Sequence, residues 1–110
     1  MITSYVTPDQ STLYLSLVGA LDSYSAKNLV LEYHDRRVRG LSRCILDLSA
    51  CEMEDDTGVD VLERLSSEVA PHGVELSLLE TPQPALKGAA ERAAVSRIDS
   101  STLPFLETLR

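Results

Sequence analysis

Residues 43 to 49 read RCILDLS, and this stretch decides the fold class of the chain. It is a short, nearly continuous apolar run of strand length, closed on its carboxyl side by polar residues. Runs of this kind are typical of central strands that are covered on at least one face, whereas exposed strands alternate apolar and polar residues. The stretch therefore predicts a central strand with other elements packed against it.

The residues before this strand predict a hairpin and a helix. TLYLSLVG (12 to 19) alternates Leu13, Leu15 and Leu17 with other residues, the period of a strand with one face in the core, and Gly19 is expected to end it. ITSYV (2 to 6) is expected to pair with it as a short edge strand across the turn TPDQS (7 to 11). A helix is expected from about 23 to 38, capped by Asp22 or Ser23.

The residues after the central strand alternate helices with strands. A helical stripe stops near Pro71 and Gly73, and it consists of Val59, Leu62, Leu65 and Val69. VELSLLE (74 to 80) reads as a strand, 81 to 94 as a helix, 95 to 101 as a short strand or extended turn, and 102 to 110 as a closing helix. The order β-β-α-β-α-β-α-(β)-α predicts an α/β domain over residues 1–110. Its sheet is expected to be mixed and four- to five-stranded, with helices mainly on one face.

Composition and charge limit the classes of partner. The chain has 110 residues, 44% of them apolar, and a formal net charge of −7. Nucleic acids and anionic membranes select for clustered Lys and Arg, so neither is an expected partner, and a protein or a small ligand is favoured. No signal peptide or membrane-spanning run is recognisable, and the two cysteines fit a reducing compartment, so we expect a cytoplasmic protein.

The turn EDDTG (54 to 58) follows the central strand and is the chemically richest stretch. A single Asp or Thr is enough to cap a helix, so two adjacent aspartates need another explanation. Six carboxylates fall between positions 52 and 63, and their repulsion must be offset by the helix dipole, solvent or a cationic partner. They are Glu52, Glu54, Asp55, Asp56, Asp60 and Glu63.

Catalysis and metal binding are the weaker explanations of this cluster. It has no EF-hand spacing, phosphate-binding glycine loop, nucleophile, Lys or His near it, and His34 and His72 are predicted at the far ends of helices. We therefore expect no metal, no cofactor and no enzyme activity. A small-molecule sensor or a metal-assisted enzyme stays open as a third class of function.

Two segments resemble the signature regions of STAS domains, the fold of anti-sigma factor antagonists. LVGALDSYSAKNL (17 to 29) contains the family's Gly-x-Leu-Asp turn as Gly19, Leu21 and Asp22. CILDLSACEMEDDTGVDVLERL (44 to 65) contains its Asp-Leu-Ser strand end, followed by a turn that the family writes Asp-Ser-Ser/Thr-Gly. Asp55, Thr57 and Gly58 match that turn. The tail VSRIDSSTLPFLETL is also similar, so the resemblance covers nearly the whole chain and implies a single STAS-like domain.

The resemblance implies a bacterial regulator that works by partner switching. Members of the family bind an anti-sigma factor that is also a serine kinase of the histidine-kinase-like ATPase type, and phosphorylation of the turn's Ser breaks that complex. Here Asp56 stands at the phosphoacceptor position, and Thr57 is a possible displaced phosphosite. The implied partner-binding residues are Asp22, Ser23, Asp55, Asp56, Thr57, Gly58 and Val59. STAS-like proteins also serve as accessory or scaffold subunits of transport ATPases or stress-sensing complexes, and this role is the alternative. A monomer or weak homodimer is expected.

Overall fold

The computed structural model describes residues 1–53, 57–81 and 83–106. The strands are β1 (Ile2–Val6), β2 (Thr12–Leu21), β3 (Arg43–Met53), β4 (Glu75–Leu79) and β5 (Ser96–Ile98). The α-helices are α1 (Ser23–Arg36), α2 (Thr57–Val69) and α3 (Pro84–Arg92). Short 3-10 helices cover Ala70–His72 and Ser100–Thr102. The predicted order of elements is confirmed as far as β5.

The five strands form one mixed sheet in the order β1-β2-β3-β4-β5. β1 runs antiparallel to β2, and β2, β3, β4 and β5 run parallel to one another. The hairpin between β1 and β2 turns at Asp9, whose carboxylate accepts hydrogen bonds from the Ser11 backbone N–H (3.0 Å) and the Thr7 hydroxyl (2.7 Å). These bonds to a charged acceptor lower the pKa of Asp9.

One face of the sheet, called the helix face below, carries α1, α2 and α3 and the larger core. Successive side chains along β3 point to opposite faces of the sheet. The alternate residues Cys44, Leu46 and Leu48 therefore share one face, the helix face. They pack against apolar residues of all three helices, among them Leu29, Leu62 and Leu86, which are fully buried. The expected placement of the helices mainly on one face is confirmed.

The opposite face, called the closing face, is covered by the segment 99–106. Its core is small and consists of Tyr14, Ile45, Leu79, Leu103 and Leu106, with Tyr5, Ile98 and Phe105 packed against them. The Phe105 ring stacks on Tyr5 at 5.6 Å and meets the edge of Tyr14 at 6.0 Å between ring centroids. Helical backbone begins again at Phe105, and the rest of the predicted closing helix lies outside the described residues.

β2 and β3 are longer than the sequence predicted. Gly19 was expected to end β2, but the strand continues to Leu21, and β3 continues past Ser49 to Met53. The reason is their mutual pairing, which carries on through Gly19 opposite Cys51 to Leu21 opposite Met53. Gly19 has a φ of 118°, a conformation that glycine adopts without strain, so it bends the strand without ending it.

A bulge in β3 sets which side chains enter the core. The register shifts between Ser16 opposite Asp47 and Val18 opposite Ala50, so two residues of β3 face one of β2. The extra residue reverses the alternation, and Cys51 therefore points to the helix face, as Leu48 does. Both cysteines are free and buried.

The helix ends differ from the predicted ones by a few residues. α1 ends at Arg36, two residues before the predicted end, because Arg37 has extended backbone with ψ 132°. Val38 nevertheless packs against the core of the helix face. α3 begins at Pro84, whose fixed φ suits a first helical position. Among the described residues, no helix is long and apolar enough to cross a membrane.

Candidate partner-binding site

The carboxyl ends of β2 and β3 bring the two sequence motifs together. Leu21 pairs with Met53 at the end of the parallel ladder, and neighbouring strands are about 4.8 Å apart. Asp22 follows Leu21 directly, and residues 54–56 follow Met53 directly. α1 begins at Ser23 and α2 at Thr57, so both helices start at this end of the sheet. The site is therefore built at two strand ends that are paired in the sheet but lie 32 residues apart in the sequence.

Asp22 is the N-cap of α1 and remains exposed. Its Oδ1 accepts a hydrogen bond from the Ser25 backbone N–H at 2.8 Å, and the Ser25 hydroxyl accepts one from the Asp22 backbone N–H at 2.8 Å. This reciprocal capping box satisfies two backbone donors with local side chains. Asp22 and Ser23 are both exposed, so the capped turn presents polar groups to solvent at the site.

Only the residues on either side of the acidic turn are described by the structure. Asp55 and Asp56 lie outside the described residues, as does the side chain of Thr57, so capping of α2 by Thr57 stays a prediction. Gly58 is buried, and Val59 is half-buried against the core of the helix face. Of the predicted contact residues, Asp22 and Ser23 are thus placed at the exposed surface.

The described carboxylates around the turn are exposed. Glu52, at the end of β3, and Asp60 and Glu63, in the first two turns of α2, have no salt bridge within the described part of the chain. Asp60 lies in the first turn of α2, where the helix dipole favours a negative charge. Glu52 and Glu63 lack that compensation. Their repulsion is offset by solvent or by positive charge from outside the described residues.

The Asp-Leu-Ser motif of β3 is folded inward, in contrast to the turn that follows it. Asp47 is only 7% exposed and points to the closing face. The Tyr14 hydroxyl donates to its Oδ2 at 2.5 Å, and Ser49 donates to its Oδ1 through the backbone N–H at 3.0 Å and the hydroxyl at 2.6 Å. Three donors thus stabilise a buried carboxylate. The hydrogen bonds of Asp47 to Ser49 stabilise the bulge, and the bulge sets the course of β3 toward the site.

The bulge also turns Cys51 toward the helix face. The Cys51 thiol donates to the Leu17 carbonyl at 3.1 Å. Burial, together with the negative charge of Asp47, raises the pKa of this thiol to about 11. Cys44, deeper on the helix face, has its pKa raised to about 12 by burial. Both thiols are protonated at neutral pH.

Gln83 fixes the outer edge of β3 at the site. β3 pairs with β4 from Arg43 to Leu46, and beyond that point its second edge has no strand partner among the residues that the structure describes. The Gln83 side-chain amide donates to the carbonyls of Ser49 (3.1 Å) and Cys51 (3.3 Å) on that edge. No local sequence pattern signals this contact, because the residues are 34 and 32 positions apart.

The two histidines lie at the other end of α1 and α2. His34 Nε2 is 2.9 Å from Glu68 Oε2, and His72 Nδ1 is 3.0 Å from the Tyr33 hydroxyl. These contacts join the carboxyl ends of the two helices. No group of three His, Cys, Asp or Glu side chains within the described ranges is arranged to hold a metal ion.

The chain is a small α/β domain, with two helix starts and several exposed carboxylates at one end of a mixed sheet. A family model of the STAS domain matches residues 4–109. The chain therefore belongs to the STAS domain family. This confirms the resemblance seen in the two motifs. No curated protein matches the sequence significantly.

Solved structures of anti-sigma factor antagonists share the fold. Unphosphorylated SpoIIAA superposes with a TM-score of 0.70 at 14% identity, over 100% of this chain and 96% of that chain. A variant of Moorella thermoacetica RsbS in which a serine is replaced by glutamate gives 0.68 at 18% identity, over 98% and 96% of the two chains. A STAS domain of an antagonist from Rhodobacter sphaeroides gives 0.59 at 20% identity, over 71% and 83%. These TM-scores show a shared fold.

Proposed function

We propose that this chain is a bacterial, cytoplasmic regulator of the anti-sigma factor antagonist type. It binds an anti-sigma factor that is also a serine kinase with a histidine-kinase-like ATPase fold, and it acts as a monomer or weak homodimer without catalysis of its own. The observation that carries the proposal is the pairing of Leu21 with Met53, which sets Asp22 next to the strand end after which the acidic turn follows in the sequence. Membership of the STAS family supports the class of function.

The contact surface proposed for the partner is acidic and is built on the two helix starts. It comprises the residues named from the sequence: Asp22, Ser23, Asp55, Asp56, Thr57, Gly58 and Val59. Exposed carboxylates without a cation from the described chain favour a partner surface that carries Lys or Arg. Such pairs raise the rate of encounter and fix the orientation of the complex more than they raise affinity.

Asp56 replaces a reversible charge by a permanent one in this proposal. A phosphoserine carries nearly two negative charges and three acceptor oxygens, whereas an aspartate carries one charge and two oxygens. The chain therefore cannot be switched by a serine kinase at position 56. Thr57, the adjacent hydroxyl, is the proposed acceptor if the partner kinase still modifies this turn.

The first experiment compares the wild-type chain with Asp56→Ser as bait in native cell extract. Retained proteins are identified by mass spectrometry, and Asp9→Ser, the same change in the hairpin turn at the other end of β2, is the matched control. Recovery of a histidine-kinase-like ATPase by wild type or by Asp56→Ser, with Asp9→Ser behaving as wild type, supports the proposal. Recovery of a transport ATPase or of no ATPase overturns the antagonist assignment and, in the former case, favours the accessory-subunit role.

Two further variants test the parts of the surface. Asp22→Asn removes the charge but keeps an N-cap, because asparagine caps as well as aspartate, and we expect about threefold to tenfold weaker binding of the recovered ATPase. Incubation with that ATPase and ATP should phosphorylate Asp56→Ser at the new serine. Phosphate on Thr57 of the wild-type chain, absent in Thr57→Ala, would identify the displaced phosphosite.

A further inference from the structure

The large apolar side chains that are exposed on the described surface all lie in one region. They are Met1, Val18, Tyr24 and Leu31, with exposed fractions of 83%, 45%, 74% and 55%. Scattered exposed apolar residues are ordinary, but these four line two grooves that share Ile2 and Asn28. The grooves have volumes of about 410 and 430 Å³. We call them together the α1 groove.

One wall of the α1 groove is an exposed stripe of α1 in which apolar and polar residues alternate. Tyr24, Asn28, Leu31 and Asp35 follow one another at helical spacing and so form one stripe along the helix. A different stripe of α1, which includes Leu29 and Tyr33, is buried in the core of the helix face. The opposite wall is formed by β1 and the end of β2.

Hydrogen bonds hold the two walls in place. The N-terminal ammonium group of Met1 donates to the Val18 carbonyl at 2.8 Å, which anchors the start of β1 to β2. The Ser4 hydroxyl donates to Glu32 Oε2 at 3.4 Å and so links β1 to α1. The groove is therefore a preformed feature of the fold between a strand pair and a helix.

Charge around the α1 groove restricts what can cover it. Its lining includes three carboxylates, Asp22, Glu32 and Asp35, against one cation, the N-terminal ammonium group of Met1, and it includes no Lys or Arg side chain. A second copy of this chain would bring another net charge of −7 against them. An anionic membrane would be repelled for the same reason. A protein segment with apolar side chains and flanking basic residues complements both the exposed apolar residues and the carboxylates of the groove.

We propose that the α1 groove docks a basic amphipathic segment of a protein partner, with aliphatic or aromatic side chains on Val18, Tyr24 and Leu31 and with Lys or Arg against the acidic rim. Asp22 belongs both to this groove and to the surface of the proposed function, so the two surfaces are continuous. The inference rests on the proposed function in this respect: the groove extends the same contact to a second, apolar part of the partner.

The test uses a defined probe and therefore does not depend on which partner is recovered. The probe is a synthetic helical peptide with Leu on one face and Lys on the other, titrated into the isotope-labelled full chain and followed by backbone amide chemical shifts. We expect saturable shifts that centre on residues 18 to 20, 24, 28 and 31. A scrambled peptide of the same composition should weaken the apparent affinity at least tenfold.

Matched variants locate the binding. Tyr24→Ser combined with Leu31→Ser should abolish saturation without changing the melting temperature, since both side chains are exposed. Asp35→Lys should weaken the peptide, while Glu75→Lys, an equal charge change at the exposed start of β4, should leave it unchanged. Shifts that do not saturate, that centre elsewhere or that survive the double Ser variant would overturn the inference.

The other occupants are outcomes of the same design. If sedimentation shows a dimer that Leu31→Ser dissociates, a second copy covers the groove and the inference is wrong. Binding to vesicles of phosphatidylglycerol that Tyr24→Ser removes, with no saturable peptide binding, would also overturn it. Finally, an ATPase that responds to Asp56→Ser but not to the double Ser variant would refute the groove and leave the proposed function standing. Saturable peptide binding, with no ATPase recovered from the cell extract, would support the groove and refute the proposed function.

Discussion

The two faces of the sheet are stabilised in different ways. The helix face is aliphatic, extends under three helices and buries Leu46 and Leu48 completely. The closing face is covered by one short segment and contains three aromatic rings and a buried carboxylate, Asp47, bonded to Tyr14 and Ser49. The helix face supplies most of the buried apolar area, and the closing face supplies directional bonds.

This difference explains how one domain combines a stable core with a defined course of the backbone at the candidate site. Apolar packing tolerates different side-chain orientations, whereas a buried carboxylate needs hydrogen-bond donors at defined positions. The bonds of Asp47 therefore specify the bulge of β3 and, through it, the course of the strand to Met53 beside the candidate site. The following variants test this division from the largest expected effect to the smallest.

Leu46→Ala should have the largest effect. Leu46 is fully buried in the central strand on the helix face, so the truncation leaves a cavity, and we expect the free energy of unfolding to fall by about 3 kcal/mol. Urea denaturation measures the change. Leu31→Ala, at an exposed position of α1, is the control and should change stability by less than about 0.5 kcal/mol. A loss at Leu46 no greater than that of the control would contradict the assignment of the main core.

Asp47→Ala should cost about 2 kcal/mol, because it removes the acceptor of three hydrogen bonds on the closing face. Tyr14→Phe removes one of these bonds and should cost about 1 kcal/mol. A double-mutant cycle separates the two contributions. We expect the double variant to lose less than the sum of the single ones, since both remove the same bond. Strict additivity would show that the Tyr14 bond does not stabilise the fold.

The two helix caps offer a smaller comparison between the faces. Asp22 caps the 14-residue α1 with a reciprocal pair of bonds, whereas Asp99 caps a three-residue 3-10 helix of the closing segment with one bond to the Ser101 N–H. Asp22→Ala should therefore cost about 1 kcal/mol and Asp99→Ala about half as much. Thermal unfolding of both variants decides the order. Equal losses would mean that the capping box adds nothing to a single bond.

The effect that is smallest at neutral pH concerns the thiol of Cys44, whose ionisation changes stability only in alkaline solution. Its pKa is about 12 in the fold because of burial, above that of an exposed thiol. The unfolded chain therefore loses this proton first, so the stability contribution is complete below about pH 9 and is lost as the pH rises toward 12. Urea denaturation at pH 8 and pH 10 should show a steeper decline for wild type than for Cys44→Ala. Parallel declines would show that Cys44 does not carry the effect.

Local patterns predicted most of the elements of the fold. The alternation of Leu13, Leu15 and Leu17 identified β2, and Asp22 before a helical stripe identified the cap of α1. Both features depend on residues within one turn or strand, where spacing and side-chain chemistry decide the conformation. The site prediction also placed Asp22 and the acidic turn on one surface through the family resemblance, and the Leu21 to Met53 pairing brings their flanks together.

Three features escaped the sequence because they depend on contacts between distant residues. The end of β2 was misplaced at Gly19, since the ladder with β3 sustains the strand beyond a glycine that would end an isolated one. Asp47 was noticed as part of a motif, but its role needed Tyr14 from another strand. The contact of Gln83 with the free edge of β3 likewise joins α3 to a strand more than 30 residues earlier.

The sequence by itself determined the α/β class, the order of the elements, the aliphatic core and the acidity of the turn, because these follow from composition and from periods of two and 3.6 residues. Only the tertiary structure decided the bulge that turns Cys51 inward, the burial of Asp47 and the meeting of Tyr24 and Leu31 with the start of β1 in one groove. Each of these needs a register between strands or a helix position on the sheet. Such placements are fixed by the sum of many packing contacts and by no single stretch of residues.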